Sequence, residues 1–369
     1  MRVESLTISY FRNMEGIRLF PCGGANIIFG GNAQGKTNLI EAIWLFSGAK
    51  SFRGSKDGDF TMFGNDISKL ELTFFTKGRE QSSAIILSGD KKNVFLNEIK
   101  QESITKLAGE FCAVVFSPDH LSLVKQGPDK RRRLIDVSLS QAYPKYMKIL
   151  DGYNRALRQR NTLLKDIAGH PALEDTLDTW DKSLAGYGAY IIHMRQRYVK
   201  KLALLASDFY SGISSGKEAF SATYAPGFDI GIDGKSREEI HNALETALFK
   251  NRGADIHHGV TSLGPHRDDM EIMVNGVSAR AFGSQGQQRS CILALKLAEC
   301  AILEERNNEP PVILLDDVMS ELDESRRDFL LNQLHDRQVF ITCCDAEAFS
   351  GLKHGKVFEI SKGSIVNQQ

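Results

Sequence analysis

Long apolar runs are absent from this sequence of 369 residues. Its most apolar segments, such as residues 112–116 and 312–315, are far shorter than the roughly 18 residues that a membrane-spanning helix needs. Residues 1–4 do not open a secretory signal peptide. We therefore expect a protein that neither spans a membrane nor is secreted.

Cysteine is scarce and ungrouped, with six residues at positions 22, 112, 291, 300, 343 and 344. The sequence has no C-x-x-C pair and no histidine at the spacing of a zinc ligand. Neither a zinc site nor a disulfide framework is predicted. Reduced thiols, as in cytosolic proteins, are the expected state.

Net charge is also absent, because 46 Lys and Arg balance 46 Asp and Glu. The global basic excess that is usual in nucleic-acid-binding proteins is therefore missing. The charge is uneven, however: residues 125–201 contain 16 basic and 8 acidic side chains, so the remainder of the sequence is acidic. The length and the ordinary globular composition favour two domains, or one large domain with an insertion.

The first hundred residues are rich in strand patterns. Alternating or apolar stretches predict strands at residues 3–9, 17–20, 25–29, 70–75, 83–87 and 93–95. Apolar residues at near-helical spacing predict one helix over residues 37–46. We interpret this part as an open antiparallel sheet beside a nucleotide-binding unit.

The middle of the sequence changes to a helical pattern. Apolar residues recur at three and four positions from about residue 131 to 209, which predicts three or four helices. A mixed segment over residues 220–273 follows. A helix over residues 285–305 and buried strands at 312–315 and 339–342 complete the prediction.

A phosphate-binding loop is predicted between the strand at 25–29 and the following helix, where residues 30–37 match G-x-x-x-x-G-K-[ST]. Glycines let backbone N–H groups face phosphate oxygens, and the helix N-terminus adds a favourable dipole. Lys36 would neutralise the β and γ phosphates, and Thr37 would offer its hydroxyl to Mg²⁺. The predicted nucleotide-binding residues here are Gly30, Gly31, Asn32, Ala33, Gln34, Gly35, Lys36, Thr37 and Asn38.

Two carboxylates after the apolar strand at 312–315 predict the second half of the same site. Asp316 would hold Mg²⁺ directly or through a water, and Asp317 is the candidate to polarise an attacking water. With Lys36, these are the predicted catalytic residues. Because the two halves lie so far apart in the sequence, we infer a large insertion into one nucleotide-binding core.

A third phosphate-binding element is predicted at the start of the helix at 285–305. Ser284, Gln285, Gly286 and Gln287 place donor groups at a helix N-terminus and resemble the signature motif of ABC-type ATPases. In that superfamily, the signature of one subunit reaches the γ phosphate bound by the other. Residues 320–323 stand where the superfamily has its dimer-contacting loop.

Taken together, these motifs resemble the RecF family of SMC/ABC-class ATPases, and the resemblance covers essentially the whole chain. The matching stretches are residues 10–13, 37–43, 51–53, 116–119, 123–125, 131–136, 159–165, 264–269 and 284–289.

The resemblance implies an α/β fold, an ABC/SMC-type P-loop ATPase head with a mixed and an antiparallel sheet. A helical arm is inserted, without a long coiled coil. The implied divisions are an N-terminal half of the head at 1–119, a mainly helical insertion at 120–255 and a C-terminal half at 256–369. Arg12 and Asn13 join the predicted ATP contacts, and Mg²⁺ is the implied metal.

The resemblance also implies an activity. ATP would drive homodimerisation, the dimer would clamp single-stranded DNA, double-stranded DNA or their junctions, and weak, DNA-stimulated hydrolysis would release them. Family members act with RecO and RecR to load RecA and take part in the SOS response. A cytoplasmic, nucleoid-associated location follows.

Three positions depart from the expected pattern. Ala33 stands where many members have Gly, which is harmless only if its φ is not positive. Asp317 is one methylene shorter than the Glu of ABC transporters, which predicts weak hydrolysis. Residues 342–345 contain no switch histidine, which argues against a transporter motor.

The basic middle supplies the candidate DNA contacts. Phosphate contacts made by cations release counterions, so binding should weaken steeply with salt. The candidates are Lys125, Lys130, Arg131, Arg132, Arg133, Arg155, Arg158 and Arg160. A solvated helix face is the alternative explanation for such a run. Sequence-tolerant recognition of DNA structure is expected.

Two other classes of function share the phosphate-binding loop. A P-loop kinase or phosphotransferase would need an acceptor pocket and a lid. An ABC transporter motor would need a membrane partner. The signature-like segment favours the DNA-binding ATPase over the first, and the basic helical arm favours it over the second.

Overall fold

The computed structural model describes residues 1–89, 91–121, 123–167, 169–228, 231, 234–344 and 355–368. Within these ranges, no helix is both long enough and apolar enough to cross a bilayer. The described structure comprises a head with two sheets and a helical lobe.

The first sheet is antiparallel and has six strands. In chain order they are β1 (Arg2–Phe11), β2 (Met14–Leu19), β4 (Ser68–Thr76), β5 (Arg79–Ser88), β6 (Lys91–Leu96) and β7 (Ile99–Gln101). Their spatial order is β2-β1-β4-β5-β6-β7. Alternate residues of β4, such as Leu70, Leu72 and Phe74, are buried, as expected of a sheet with one covered face. The predicted open antiparallel sheet is confirmed.

The second sheet is mixed and carries the phosphate-binding loop. Its strands are β3 (Ala25–Phe29), β8 (Ala113–Phe116), β12 (Val312–Leu315), β13 (Val339–Cys343), β14 (Gly355–Ser361) and β15 (Ser364–Gln368). The order is β15-β14-β3-β13-β12-β8, and only β15 pairs antiparallel. The four residues of β12 are all buried, as is typical of a parallel strand covered on both faces.

Three helices cover the mixed sheet. They are α1 (Lys36–Leu45), α8 (Gln285–Asn307) and α9 (Glu324–Gln333). Leu39 and Ile43 of α1 share one apolar cluster with both sheets, so α1 lies between them. Leu293 of α8 and Leu330 of α9 belong to a separate cluster with Ile313 of β12. The nucleotide-binding core therefore has helices on both faces.

The helical lobe comprises the remaining elements. These are α2 (Pro118–Leu121), α3 (Pro128–Ala142), α4 (Pro144–Ile167), α5 (Leu177–Ile213), β9 (Phe220–Ala225), α6 (Arg237–Lys250), α7 (Arg252–His258), β10 (Asp269–Val274) and β11 (Val277–Ser278). Short 3₁₀ turns lie at Asp57–Phe60, Ile104–Leu107, Pro171–Thr176, Pro265–Arg267 and Met319–Glu321. The long helices α3, α4 and α5 confirm the predicted helical arm.

The proposed division at 255/256 falls within α7, and the chain is continuous in structure across it. Strand β9 pairs with β10 in a small sheet of order β11-β10-β9, so strands from both sides of the division form one sheet. Residues from α5, β10 and α8 share one apolar cluster. The head and the helical lobe are therefore joined through α8.

Arg131 and Arg160 are buried, which corrects their assignment as DNA contacts. Arg160 is 0% exposed, and its guanidinium pairs with Asp181 at 2.6 Å and with Asp255 at 2.7 Å. Arg131 is 3% exposed and pairs with Asp269 at 2.6 Å. An uncompensated charge is costly to bury, and the aspartate partners compensate the charge of these two guanidinium groups. They offer no surface to a phosphate.

Replacing Arg160 with Ala should destabilise the fold strongly. Asp255 would be left buried without its cationic partner, which typically costs about 3–5 kcal/mol. The free energy of unfolding from urea titration monitored by circular dichroism measures this. The matched control is Arg158→Ala, an exposed arginine on the same helix, which should change stability by less than about 0.5 kcal/mol. Equal stability of the two variants would contradict the assignment.

Candidate nucleotide-binding site

The carboxyl ends of four parallel strands meet at one edge of the mixed sheet. Gly30 follows β3, Ser117 follows β8, Asp316 follows β12 and Cys344 follows β13. Ligands of open parallel sheets bind at this edge. The fold therefore brings together the two halves of the predicted site.

The loop between β3 and α1 has the backbone that a phosphate cradle requires. Gly30 and Gly35 have φ of 153° and 113°, and a Cβ at Gly30 would collide with the carbonyl oxygen of Ile360. Ala33 has φ of 60°. The condition under which alanine would be harmless is therefore not met, because the left-handed region costs a non-glycine residue about 1 kcal/mol.

Lys36 lies over this loop. Its side chain is nearly buried, and Nζ donates hydrogen bonds to the carbonyl oxygens of Gly30 at 2.8 Å and Gly31 at 3.0 Å. Nζ is also 3.8 Å from Sγ of Cys344. The ammonium group is thus held inside the loop, where it can neutralise a bound phosphate.

A second support reaches the loop from the turn between β14 and β15. The backbone N–H of Gly363 donates to the carbonyl oxygen of Gln34 at 2.9 Å, and that of Lys362 donates to the side-chain oxygen of Gln34 at 2.6 Å. Nδ2 of Asn38 donates to Oδ1 of Asn13 at 2.8 Å, next to Gly35. Hydrogen bonds therefore connect the phosphate-binding loop to the turn between β14 and β15 and, through Asn38, to Asn13.

Thr37 and Asp316 join the two halves of the site. The Thr37 hydroxyl donates to Oδ1 of Asp316 at 2.9 Å, and the Thr342 hydroxyl donates to the same oxygen at 3.0 Å. Burial raises the pKa of Asp316 to about 6, despite these two hydrogen bonds and with a further contribution from the neighbouring Asp317. Burial and like charge thus make the ionised carboxylate unfavourable without a cation.

Asp317 is half-buried beside this carboxylate. Its φ is 50°, and its backbone N–H donates to the Thr342 hydroxyl at 2.9 Å. Aspartate tolerates the left-handed region better than most residues. The role of Asp317 in polarising an attacking water stays a prediction.

Three residues of the site were not predicted from sequence. Thr342 bonds Asp316, as described above. Glu41 of α1 is fully buried and accepts from Nη2 of Arg12 at 2.8 Å. Arg53 donates to Oδ1 of Asn38 at 2.9 Å, and its charge lowers the pKa of Asp316. A polar residue in a buried strand was the available signal for Thr342, and a carboxylate within a buried helix was the signal for Glu41.

The donor set at Thr37 and Asp316 fits Mg²⁺. A carboxylate and a hydroxyl are the hard oxygen ligands that this ion takes, together with substrate phosphates and water. The described residues contain no cluster of three or more His, Cys, Asp or Glu that would make an all-protein metal site. One carboxylate beside a phosphate loop is the arrangement expected for a metal that arrives with a nucleotide.

The signature-like segment caps α8. Oγ of Ser284 accepts from the N–H of Gln287 at 3.2 Å, and Oε1 of Gln287 accepts from the N–H of Ser284 at 2.8 Å. Ser284 and Gln285 are exposed, as is Phe282, at 77%. This helix N-terminus therefore faces outward, and Gly286 packs near Arg326 of α9.

The remaining candidate DNA contacts divide into two groups. Arg132 donates to the carbonyl oxygen of Asp268 at 2.6 Å, and Arg133 donates to that of Ser51. Burial lowers the pKa of both guanidinium groups, and both stay charged. The four others are exposed, namely Lys125, Lys130, Arg155 and Arg158.

Replacing Asp316 with Asn should stabilise the protein in EDTA without nucleotide. Because the pKa of Asp316 is raised to about 6 from 3.8, its ionisation opposes folding progressively from about pH 4 to 6 and fully above that range. Asn keeps an oxygen for both threonine hydroxyls. Thermal unfolding at pH 7 should give a free energy of unfolding about 1–3 kcal/mol higher for Asp316→Asn than for the wild type.

The same comparison at pH 4 provides the control, since the carboxyl of the folded protein is protonated there and most of the gain should disappear. A lower melting temperature of Asp316→Asn at pH 7 would contradict the burial argument.

Comparison with known proteins agrees with this geometry. The family model described as RecF/RecN/SMC N terminal domain matches residues 2–364. The chain is 39% identical over 373 residues to the DNA replication and repair protein RecF of Lachnospira eligens, covering 100% of both chains. It is 40% identical to the protein of the same name from Acetivibrio thermocellus, covering 96% of each.

Solved structures show the same relation. This chain matches the structure described as the recombination mediator protein RecF-ATPrS in the RecFOR pathway with a TM-score of 0.92 and 36% sequence identity. The match covers 99% of this chain and 97% of the other. An Smc head domain from Pyrococcus furiosus has a TM-score of 0.54 at 16% identity, which shows a shared fold alone. By sequence, fold and site, the chain belongs to the RecF family.

Proposed function

We propose that this chain is an ATP-dependent DNA-binding protein of replication and recombinational repair. The observation that carries the proposal is the hydrogen bond between Thr37 and Asp316, which assembles one nucleotide site from residues 279 positions apart. A solved relative is described as RecF-ATP in the RecFOR pathway, with a TM-score of 0.91. Both support ATP as the ligand.

The loop at residues 30–37 would hold the phosphates of ATP, with Lys36 neutralising their charge. Thr37 and Asp316 would hold Mg²⁺, which supplies charge neutralisation at the β and γ oxygens when bound. Asp317 would orient and polarise the attacking water. Its side chain is short for this task, so we expect weak hydrolysis.

A homodimer would complete the site. The exposed Ser284 and Gln285 stand at a helix N-terminus, where free donor groups favour an anion. In the proposed dimer, this segment meets the γ phosphate held by Lys36 of a second copy. The exposed Phe282 beside it supplies apolar surface to the same interface.

DNA would bind the ATP-bound dimer as single strands, duplexes or junctions, and hydrolysis would release it. RecO and RecR are the proposed protein partners, because the related structure is described in the RecFOR pathway. Through them the protein would help to load RecA and would contribute to the SOS response. Such a protein acts in the cytoplasm at the nucleoid.

The test of the switch is Lys36→Met. We expect ATP with Mg²⁺ to double the mass of the wild type in light scattering and to tighten DNA binding in fluorescence anisotropy. Lys36→Met should lose both responses, because the phosphate charge is no longer neutralised. Lys100→Met, an exposed lysine on β7, is the matched control and should behave as the wild type.

If ATP changes neither the mass nor the DNA affinity of the wild type, the clamp proposal fails. The nucleotide would then serve other chemistry, and transfer of the γ phosphate to a small acceptor would be tested with labelled ATP.

The exposed arginines of α4 are the proposed DNA contacts. The double variant Arg155→Ala/Arg158→Ala should bind DNA about tenfold more weakly at moderate salt. Its plot of log K against log salt should be less steep, with a slope smaller in magnitude by about 1 to 2. The paired control is Lys91→Ala with Lys100→Ala on the antiparallel sheet, where both lysines are exposed. An unchanged salt slope in the arginine variant would place the DNA elsewhere.

A further inference from the structure

The Glu218 carboxylate bridges the helical lobe and the signature-like segment. Its Oε1 accepts a hydrogen bond from Nε2 of Gln287 at 2.6 Å. Its Oε2 accepts from the hydroxyl of Tyr210 at 2.7 Å. Each oxygen thus bonds a different element, because Gln287 is in the first turn of α8 and Tyr210 is in the last turn of α5.

Gln287 transmits this contact to the helix cap. Its amide oxygen accepts from the N–H of Ser284 at 2.8 Å while its amide nitrogen donates to Glu218. Because both the oxygen and the nitrogen of this amide are hydrogen-bonded, its orientation is determined, with the oxygen toward the helix cap. Ser284 Oγ accepts from the N–H of Gln287, so the Ser284 O–H remains a donor for an anion.

The other side of the bridge is packed into the core of the helical lobe. Tyr210 is fully buried, and its ring stacks on Phe220 with centroids 5.4 Å apart. Burial and the Glu218 carboxylate raise the pKa of Tyr210, so its hydroxyl remains a donor. Ala219, the next residue after Glu218, exchanges two hydrogen bonds of 2.8 Å with Asn275, one with its side chain and one with its backbone.

We propose that Glu218 is a positioning residue that couples the helical lobe to the signature-like segment. It sets the orientation of Gln287 and thereby the placement of Ser284 for the γ phosphate held by a second copy. Tyr210 ties Glu218 to α5, and α5 packs against α4, the helix with the proposed DNA contacts. DNA bound at α4 would therefore act on the donor geometry at Ser284 through α5, Tyr210 and Glu218. The inference rests on the proposed function and names the residues that regulate that site.

Steady-state ATP hydrolysis with and without DNA tests the coupling. Glu218→Ala should lower kcat in the presence of DNA at least fivefold with KM for ATP within twofold, because the phosphate loop is untouched. Glu218→Gln is the matched control. Its amide can accept from Gln287 and donate to the Tyr210 oxygen, so it should retain most of the wild-type rate.

Tyr210→Phe separates coupling from positioning. It removes the bond to α5 but leaves the bond between Glu218 and Gln287. Hydrolysis without DNA should stay within twofold of the wild type, while the stimulation by DNA should fall at least threefold. Wild-type stimulation in Tyr210→Phe would overturn the link to the helical lobe.

Hydrogen–deuterium exchange provides a readout that needs no hydrolysis. In Glu218→Ala, the amides of Ser284 and Gln287 should exchange at least fivefold faster, and in Glu218→Gln at the wild-type rate. Unchanged exchange in folded Glu218→Ala would overturn the positioning role, even if the wild type hydrolyses no ATP. Failure of the proposed function is a separate outcome, because ATP would then leave the mass of the wild type unchanged.

Discussion

One hydrogen bond, between Thr37 and Asp316, joins the parts of the chain that form the nucleotide site. It requires β12 to lie near β3 in the same sheet, with β13 between them. Thr342, at the end of β13, adds a second donor to the same carboxylate. The parallel sheet thus holds the two halves of the site together, although the helical lobe lies between them in the sequence. The same sheet places the buried carboxylate of Asp316 beside the phosphate-binding loop, where a metal bound with a nucleotide would meet it.

Positive charge serves two different purposes in this molecule. Arg160 and Arg131 are internal, where each pairs with aspartate and holds the helical lobe together. Arg155 and Arg158 are exposed on α4, and Arg158 is only two residues from the buried Arg160, which places their side chains on nearly opposite faces of the helix. The periodicity of the helix separates the two roles within a few residues. A count of basic residues therefore overestimates the number of positive charges that are available to contact DNA phosphates.

Local patterns predicted the strands and the helix around the phosphate loop and the long helices of the middle segment, because their strand and helix periods are visible within ten residues. The phosphate loop was predicted for the same reason, since its chemistry lies within residues 30–37. The elements that were not predicted are the strands β7, β8, β9, β10, β11, β14 and β15 and the helices α2, α6, α7 and α9. Short strands acquire their identity from pairing with distant partners, as β8 does with β12. The burial of Arg160 likewise depends on Asp255, which lies far along the chain.

The sequence by itself determined the family, the phosphate loop and the acidic strand end, because each is encoded by neighbouring residues. Only the tertiary structure decided which arginines are internal, that Ala33 has a left-handed backbone, and that Glu218 joins α5 to the start of α8. These properties depend on contacts between segments that are distant in sequence. No local period can encode them, because the free energy of a buried ion pair or a bridging hydrogen bond depends on what surrounds it.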